Sequence, residues 1–320
     1  MNSRFNSLES FLEQRFGLSG TLEKLSGGLS HEVLHLNSAE RSTIIKIYDD
    51  SMTSSRLEAE EAALELISAN NLISAPKFIR GISGSVRESF SGRIVSCYEK
   101  ISGEQKYSLI HSPTTKEGVH EIGSYLALLH QALLPSPLCE NAATTKKTLL
   151  QSSEYQRGLV KFLYEFDPQP VGSIIEIEKA LIAKNAPRIL IHGDFQQANL
   201  IYLEDQISGI IDFEYSTYDY RILEIAGTLS NLLSSSEINW TTTCIDSFLK
   251  GYESSSPRQL LAIEKKYLEV LIYYIWKLNL VWVDAALSSK KNFDECSLQI
   301  LNTYREQTSA RLSTGLFAQA

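Results

Sequence analysis

Ile191-His192-Gly193-Asp194-Phe195-Gln196-Gln197-Ala198-Asn199-Leu200, followed by Ile210-Ile211-Asp212-Phe213-Glu214, decides how this chain is read. The two runs place an Asp, an Asn and a second Asp where short apolar stretches end. Phosphoryl transfer from a nucleotide needs that trio. One carboxylate accepts a proton from the attacking hydroxyl, while an amide oxygen and another carboxylate hold the magnesium that neutralises phosphate oxygens. Either fragment alone is explained as well by an ordinary turn. Their joint occurrence, with apolar residues between them, reads as a catalytic loop plus a metal loop.

The local pattern is consistent with this. Arg188 to Ile191 is a short β-rich run that delivers His192 to Asp194 into a turn. Leu200 to Leu203 and Ser208 to Ile211 read as a hairpin around Glu204-Asp205-Gln206. Pairing of these strands predicts Asn199 and Asp212 at one edge, near Asp194.

His192-Gly193-Asp194 with Asn199 five residues on, then Ile211-Asp212-Phe213-Glu214, resembles the signature of the aminoglycoside phosphotransferase and choline kinase superfamily, which also contains homoserine kinases. The resemblance implies a bilobal, protein-kinase-like α+β fold with Asp194 as catalytic base and Asn199 and Asp212 on Mg²⁺. ATP is the implied phosphoryl donor, with GTP left open. Gln196-Gln197-Ala198 departs from the family's commoner His-Pro-Gly but removes no ligand. The Asp usual before the small apolar pair of the next helix is Glu224 here, expected to cap or buttress that helix.

Upstream, Leu25 to Leu36 reads as strand, glycine turn and returning strand. Gly27 and Gly28 let backbone amides approach phosphates without a Cβ in the way, and with Ser30 they resemble the family's Gly-Gly-Leu-Ser turn, His31-Glu32 standing where Asn is usual. In Thr43 to Tyr48, alternation puts Ile45 and Ile47 on one face and Lys46 with Ile44 and Tyr48 on the other. A lysine among apolar neighbours is costly to bury unless paired. The resemblance implies a glutamate on the following helix as its partner and, counting back from Ala75-Pro76, selects Glu61, with Glu58 and Glu60 close by. Arg93 to Glu104 resembles the family's hinge, whose backbone at Glu99 to Ile101 would bond adenine.

Val119 to Leu133 carries apolar residues at helical spacing and ends near His130, a packing or hydrogen-bonding histidine. The acceptor site is expected from the C-terminal helices. Tyr273, Trp276 and Trp282 resemble the aromatic cage of choline kinases, although an aromatic helix is more often core. Glu214, Asp219 and Asp284 are alternative anchors for an amine.

The chain has 320 residues, 43% hydrophobic, and a net charge of −8. That length supports a sizeable core in two lobes. The charge argues against nucleic-acid binding and favours a cationic acceptor. Cysteines at 97, 139, 244 and 296 have neither metal-ligand nor disulfide-framework spacing, and the polar N-terminus lacks a signal-peptide core, so a cytoplasmic enzyme is expected. Tyr267 to Leu287 approaches a membrane-spanning length, but Glu269, Lys277 and Asp284 interrupt it, and a buried or pocket-lining helix is expected. The expected division is a β-rich N-terminal lobe over 1–98, a hinge over 99–104 and a mainly helical catalytic and acceptor-binding lobe over 105–320. An activation-segment protein kinase fits less well, because neither Asp-Phe-Gly nor Ala-Pro-Glu follows Asp212.

Overall fold

Strand alternation sets the first third of the chain. In β3 (Ser42–Ile47), Ile45 and Ile47 point to one face and pack with Leu34 and Leu36 of β2 (Glu32–Asn37) against Leu8, Leu12 and Phe16 of helix α1 (Asn2–Phe16). Ile44, Lys46 and Tyr48 take the opposite face, as the period-two reading expects. The computed structural model describes residues 2–25, 31–50, 52–113, 115–134, 169–235, 241–288, 293 and 295–313. Gly27, Gly28 and Ser30, the expected phosphate turn, and Cys139 lie outside these residues.

The first sheet is antiparallel, in the order β1 (Thr21–Lys24), β2, β3, β6 (Arg93–Glu99), β4 (Phe78–Ile79), with β5 (Glu88–Phe90) also paired to β6. Helix α2 (Ser54–Asn70) starts at Thr53, whose side chain accepts from the Arg56 amide, and stops at Asn71 in the left-handed conformation. After β6 the chain passes through β7 (Glu104–Gln105) into helix α3 (Lys116–Leu133).

Helix α4 (Gln169–Ala183) precedes β8 (Arg188–Ile191), which pairs with β11 (Thr217–Tyr220). Between them run β9 (Leu200–Leu203) and β10 (Gln206–Ile210). Their turn is shorter than expected: Gln206 pairs with Leu203, so the turn is Glu204-Asp205, both at positive φ. This is the geometry a two-residue hairpin favours, adopted without glycine.

Helices α5 (Arg221–Ser234), α6 (Thr241–Ser255), α7 (Ala262–Ser288) and α8 (Glu295–Ser313) complete the described chain. Val119, Ile122, Leu126 and Leu129 of α3 pack with Phe248 and Tyr252 of α6, and with Leu229 and Trp276, in one continuous core. Helix α7 is long and apolar enough to cross a membrane by length and composition. Its Leu268, Leu271, Ile272, Tyr274 and Trp276 are buried inside the protein.

Candidate active site

The loop carrying Asp194 is shaped from below by a glycine whose backbone conformation and surroundings disfavour a side chain. Gly193 sits at φ +82°, and a Cβ there would lie 2.1 Å from the Tyr215 carbonyl oxygen. Its N–H donates to Glu224 Oε1 at 2.6 Å, and Thr228 Oγ donates to the Phe195 carbonyl at 2.9 Å. Two further bonds brace the rest. Gln105 Nε2 reaches the Ala198 carbonyl (2.6 Å) and Gln197 Nε2 the Ser108 carbonyl (3.2 Å).

Within this frame Asp194, Asn199 and Asp212 come together. Asn199 Nδ2 donates to both the carbonyl (2.9 Å) and Oδ2 (3.0 Å) of Asp194, and the Ile211 N–H donates to the Asn199 carbonyl, so the residue before Asp212 is tied to the loop. Gln196 Nε2 bridges both carboxylate oxygens of Asp194 at 3.0 and 2.9 Å. Burial, helped by the charge of Asp212, pushes the Asp194 carboxyl up to about 7 against the opposing hydrogen bonds. A carboxylate in that range is matched to general-base work near neutrality.

Lys46 is buried and lies at the centre of an acidic cluster. Its Nζ donates to Asp212 Oδ1 at 2.6 Å and stands 3.3 Å from Glu214 and 3.9 Å from Glu60. Burial opposes the ammonium, yet Asp212, Glu60 and Glu214 hold its pKa well above the ordinary lysine value. Asp212 itself has φ +71°, a left-handed conformation uncommon outside glycine.

The helix glutamate beside Lys46 is Glu60, not Glu61. Glu60 lies on the buried stripe Leu57, Glu60, Leu64, Ile67 and accepts from Tyr48 Oη at 2.6 Å, whereas Glu61 turns away to Arg87 at 2.5 Å. One residue is a 100° rotation on a helix, enough to move the side chain from cleft to flank. Glu58 is exposed.

The amine anchors are also corrected. Glu214 is buried on the Lys46 side, paired with His31 and approached by Arg56 at 3.9 Å. Burial resists its ionisation, but the His31 hydrogen bond and the charges of Lys46 and Arg56 hold its carboxyl at about 2. Asp219 is buried and its Oδ1 accepts the Tyr220 N–H; Asp284 pairs with Arg305 at 2.7 Å. Among the described residues these aromatics form no cage. Trp276 is core, its Nε1 donating to the Ser230 carbonyl, Lys277 lies over the Tyr273 ring, and Trp282 is exposed.

At the expected hinge, the Glu99 N–H donates to the Lys77 carbonyl and the Lys100 N–H to the Ser42 carbonyl. The Ile101 N–H meets no backbone acceptor among the described residues. Glu224 buttresses the catalytic loop rather than its own helix: while Oε1 holds Gly193, Oε2 takes His130 Nε2 at 2.8 Å, and His130 Nδ1 meets Tyr252 Oη at 2.8 Å.

His31, Arg56 and Gln196 join the site without having been assigned a role from sequence. Gln196 was visible as a departure inside the loop, and Glu60 lay on its helix's apolar stripe. His31 was visible as a departure beside the glycine turn, whereas Arg56 carries no local signal; what places both is contact with Glu214, more than 150 positions away.

The donor set fits a magnesium ion. Asn199 commits its Nδ2 to Asp194 and keeps a carbonyl oxygen, and Lys46 binds one oxygen of Asp212 and leaves the other. Mg²⁺ is commonly held by one or two such oxygens, with phosphate and water completing its shell.

A profile described as the phosphotransferase enzyme family (APH) matches residues 21–263. A homoserine kinase of Granulibacter bethesdensis is 24% identical over 274 residues, 83% of this chain and 81% of that protein. One from Sinorhizobium medicae is 27% identical over 209 residues, 62% of this chain and 59% of that protein. Among solved structures, a microcompartment-associated aminopropanol kinase superposes with a TM-score of 0.69 at 15% identity, covering 98% of both chains. A Plasmodium vivax ethanolamine kinase gives 0.61 at 18% identity, covering 92% of this chain and 81% of that one. The fold they share with this chain is protein-kinase-like, an antiparallel sheet followed by a helical part.

Proposed function

This chain belongs to the phosphotransferase enzyme family and is a small-molecule kinase with a hydroxyl acceptor, and on that premise we propose ATP as its donor, Mg²⁺ as its metal and a small amino alcohol or amino acid as its acceptor. The observation that carries the reading is the meeting of Asp194, Asn199 and Asp212, with Lys46 Nζ 2.6 Å from Asp212.

Asp194 accepts the proton of the acceptor hydroxyl. Gln196 and Asn199 fix both carboxylate oxygens, so the base is oriented before the acceptor arrives. Lys46, steadied by Glu60, meets the inner phosphates, and Asn199 and Asp212 hold the metal. Bound there, Mg²⁺ neutralises charge on the phosphate oxygens. The backbone from Glu99 to Ile101 takes adenine, with the Ile101 N–H as donor.

The acceptor class draws support from two directions. The curated relatives above are homoserine kinases. Among the described residues, Glu214, Asp284 and Asp219 are committed to Lys46, Arg305 and the backbone rather than left for an amine, and no aromatic cage awaits a quaternary ammonium. The test is transfer from γ-labelled ATP with Mg²⁺ to homoserine, aminopropanol, ethanolamine, choline and amino sugars. Labelling of a compact amino alcohol supports the reading, and an enzyme that labels only choline or amino sugars refutes the acceptor class.

A further inference from the structure

Helix α5 is buried nearly all round, and its two partly exposed positions are Gly227 and Asn231. Four residues apart, they share one face. Neighbouring positions on this helix hold the catalytic loop: Glu224 grips Gly193, and Thr228 grips the carbonyl of Phe195, the residue after Asp194. The window in α5 therefore opens beside the base.

Packing does not require a glycine at 227. A Cβ built there meets nothing within 4 Å, and the residue is not among those at positive φ. In a helix interior it forgoes roughly 0.5–1 kcal/mol relative to alanine. A glycine that neither neighbours nor backbone demand keeps space open.

One turn on, Asn231 joins a network of uncharged groups. Its Oδ1 accepts from Tyr304 Oη at 2.7 Å and from Asn279 Nδ2 at 3.5 Å, and Asn279 Nδ2 also donates to Tyr304 Oη at 2.7 Å. Tyr304 is buried with Val283 and Leu301, against which Leu109 and Ile110 pack. With these bonds made, Asn231 keeps its Nδ2 donors and Asn279 its Oδ1 acceptor, neither bonded to another group among the described residues. No ionised side chain belongs to the network.

We propose that Gly227, Asn231, Asn279 and Tyr304 form the floor of the acceptor site, selecting a compact hydroxylated molecule whose second polar group is held by amide hydrogen bonds rather than by a counter-ion. The proposal rests on the phosphotransferase reading and specifies its acceptor subsite. Hydrogen-bonding floors discriminate well, because an analogue lacking the matching group leaves a buried amide unpaired.

Initial rates are measured with ATP and Mg²⁺ against homoserine, aminopropanol, ethanolamine, glycerol and the bulkier spectinomycin. The native protein is expected to label compact acceptors and to discriminate against spectinomycin. Gly227→Leu, which extends into the open space, and Asn231→Leu are each expected to raise the acceptor KM at least tenfold while KM for ATP moves less than twofold. Asn302→Ala, on the exposed side of α8, is the control expected to change neither. Because Asn231→Leu also disturbs Tyr304, thermal melts accompany each variant, and Gly227→Leu decides if the other unfolds. An unchanged acceptor KM in a folded Gly227→Leu, or native labelling of spectinomycin alone, overturns the assignment. Failure of the underlying reading shows separately, as no Mg-ATP binding by calorimetry.

Discussion

Replacing Glu60 with Gln tests which glutamate serves Lys46. At an effective dielectric of about 20, a carboxylate 3.9 Å from the ammonium attracts it by about 4 kcal/mol, against about 6 for Asp212 and about 5 for Glu214 at their separations. Glu60 thus supplies roughly a quarter of the local attraction, and the two remaining acids prevent the lysine from being released. We expect about 1–3 kcal/mol to reach the transition state, a fall in kcat/KM for ATP of about 5- to 150-fold. Stability should change little. Burial already raises the Glu60 pKa, so the isosteric amide relieves a desolvation cost while its oxygen still accepts from Tyr48. Glu61→Gln removes only the partly buried pair with Arg87, away from Lys46, and should alter kcat/KM less than twofold. Steady-state kinetics of both variants, with melts to exclude unfolding, make the comparison. If Glu61→Gln loses as much activity as Glu60→Gln, or Glu60→Gln loses none, the assignment of Glu60 is wrong.

Asp194→Asn should lower kcat by on the order of 10² to 10⁴ while calorimetry still detects Mg-ATP binding; undiminished turnover would remove Asp194 from the role of base. Gly193→Ala forces a Cβ against the Tyr215 carbonyl at a φ that alanine disfavours, so it should cost on the order of 1–3 kcal/mol and nearly all activity. A melt and rate matching the native protein would contradict that geometry. Glu88, which accepts from Ser83 and Arg15, has its pKa lowered by those bonds. Its folded value lies below its unfolded one, so its stabilisation is present above the ordinary glutamate range and fades as pH falls through the folded value. The native advantage in Tm over Glu88→Gln should accordingly be larger at pH 7 than at pH 3, and an advantage that grows on acidification would reverse the sign.

The convergence of Asp194, Asn199 and Asp212 was legible because it is set locally. Asn199 is five residues from Asp194, and a short hairpin returns the chain to Asp212, so turn signals and apolar punctuation suffice. Strand β3 was legible for the same reason, since a period of two assigns Lys46 and Ile45 to opposite faces. The helix partner of Lys46 was harder. Glu58, Glu60 and Glu61 differ by 100° steps, and counting from Ala75-Pro76 cannot resolve one step, whereas the stripe Leu57, Leu64, Ile67 can. The acid anchors failed for another reason. The sequence shows that Glu214 and Asp284 are acids but not that His31, Arg56 and Arg305 stand beside them, because those pairings depend on how separate elements pack.

Helix α5 joins these observations physically. Its first turn holds the catalytic loop through Glu224, and that carboxylate is itself held by His130 of α3, which meets Tyr252 of α6. Its middle holds the same loop through Thr228, and its last turns meet α7 and α8 through Ser230, Asn231 and Ser234. A helix bonded on so many sides moves only if several buried hydrogen bonds break together, each costing on the order of 1–3 kcal/mol if left unmade. The loop carrying Asp194 and the two α5 members of the proposed floor, Gly227 and Asn231, are therefore braced by one helix, which limits how far they can move relative to one another. Lys46 reaches the site from β3 and is tied to it by Asp212 and Glu214. Hydrogen bonds from Arg56 to the Glu214 carbonyl and from the Ile210 N–H to the Ser74 carbonyl join the same two parts, so the lysine's position is held by hydrogen bonds as well as by charge.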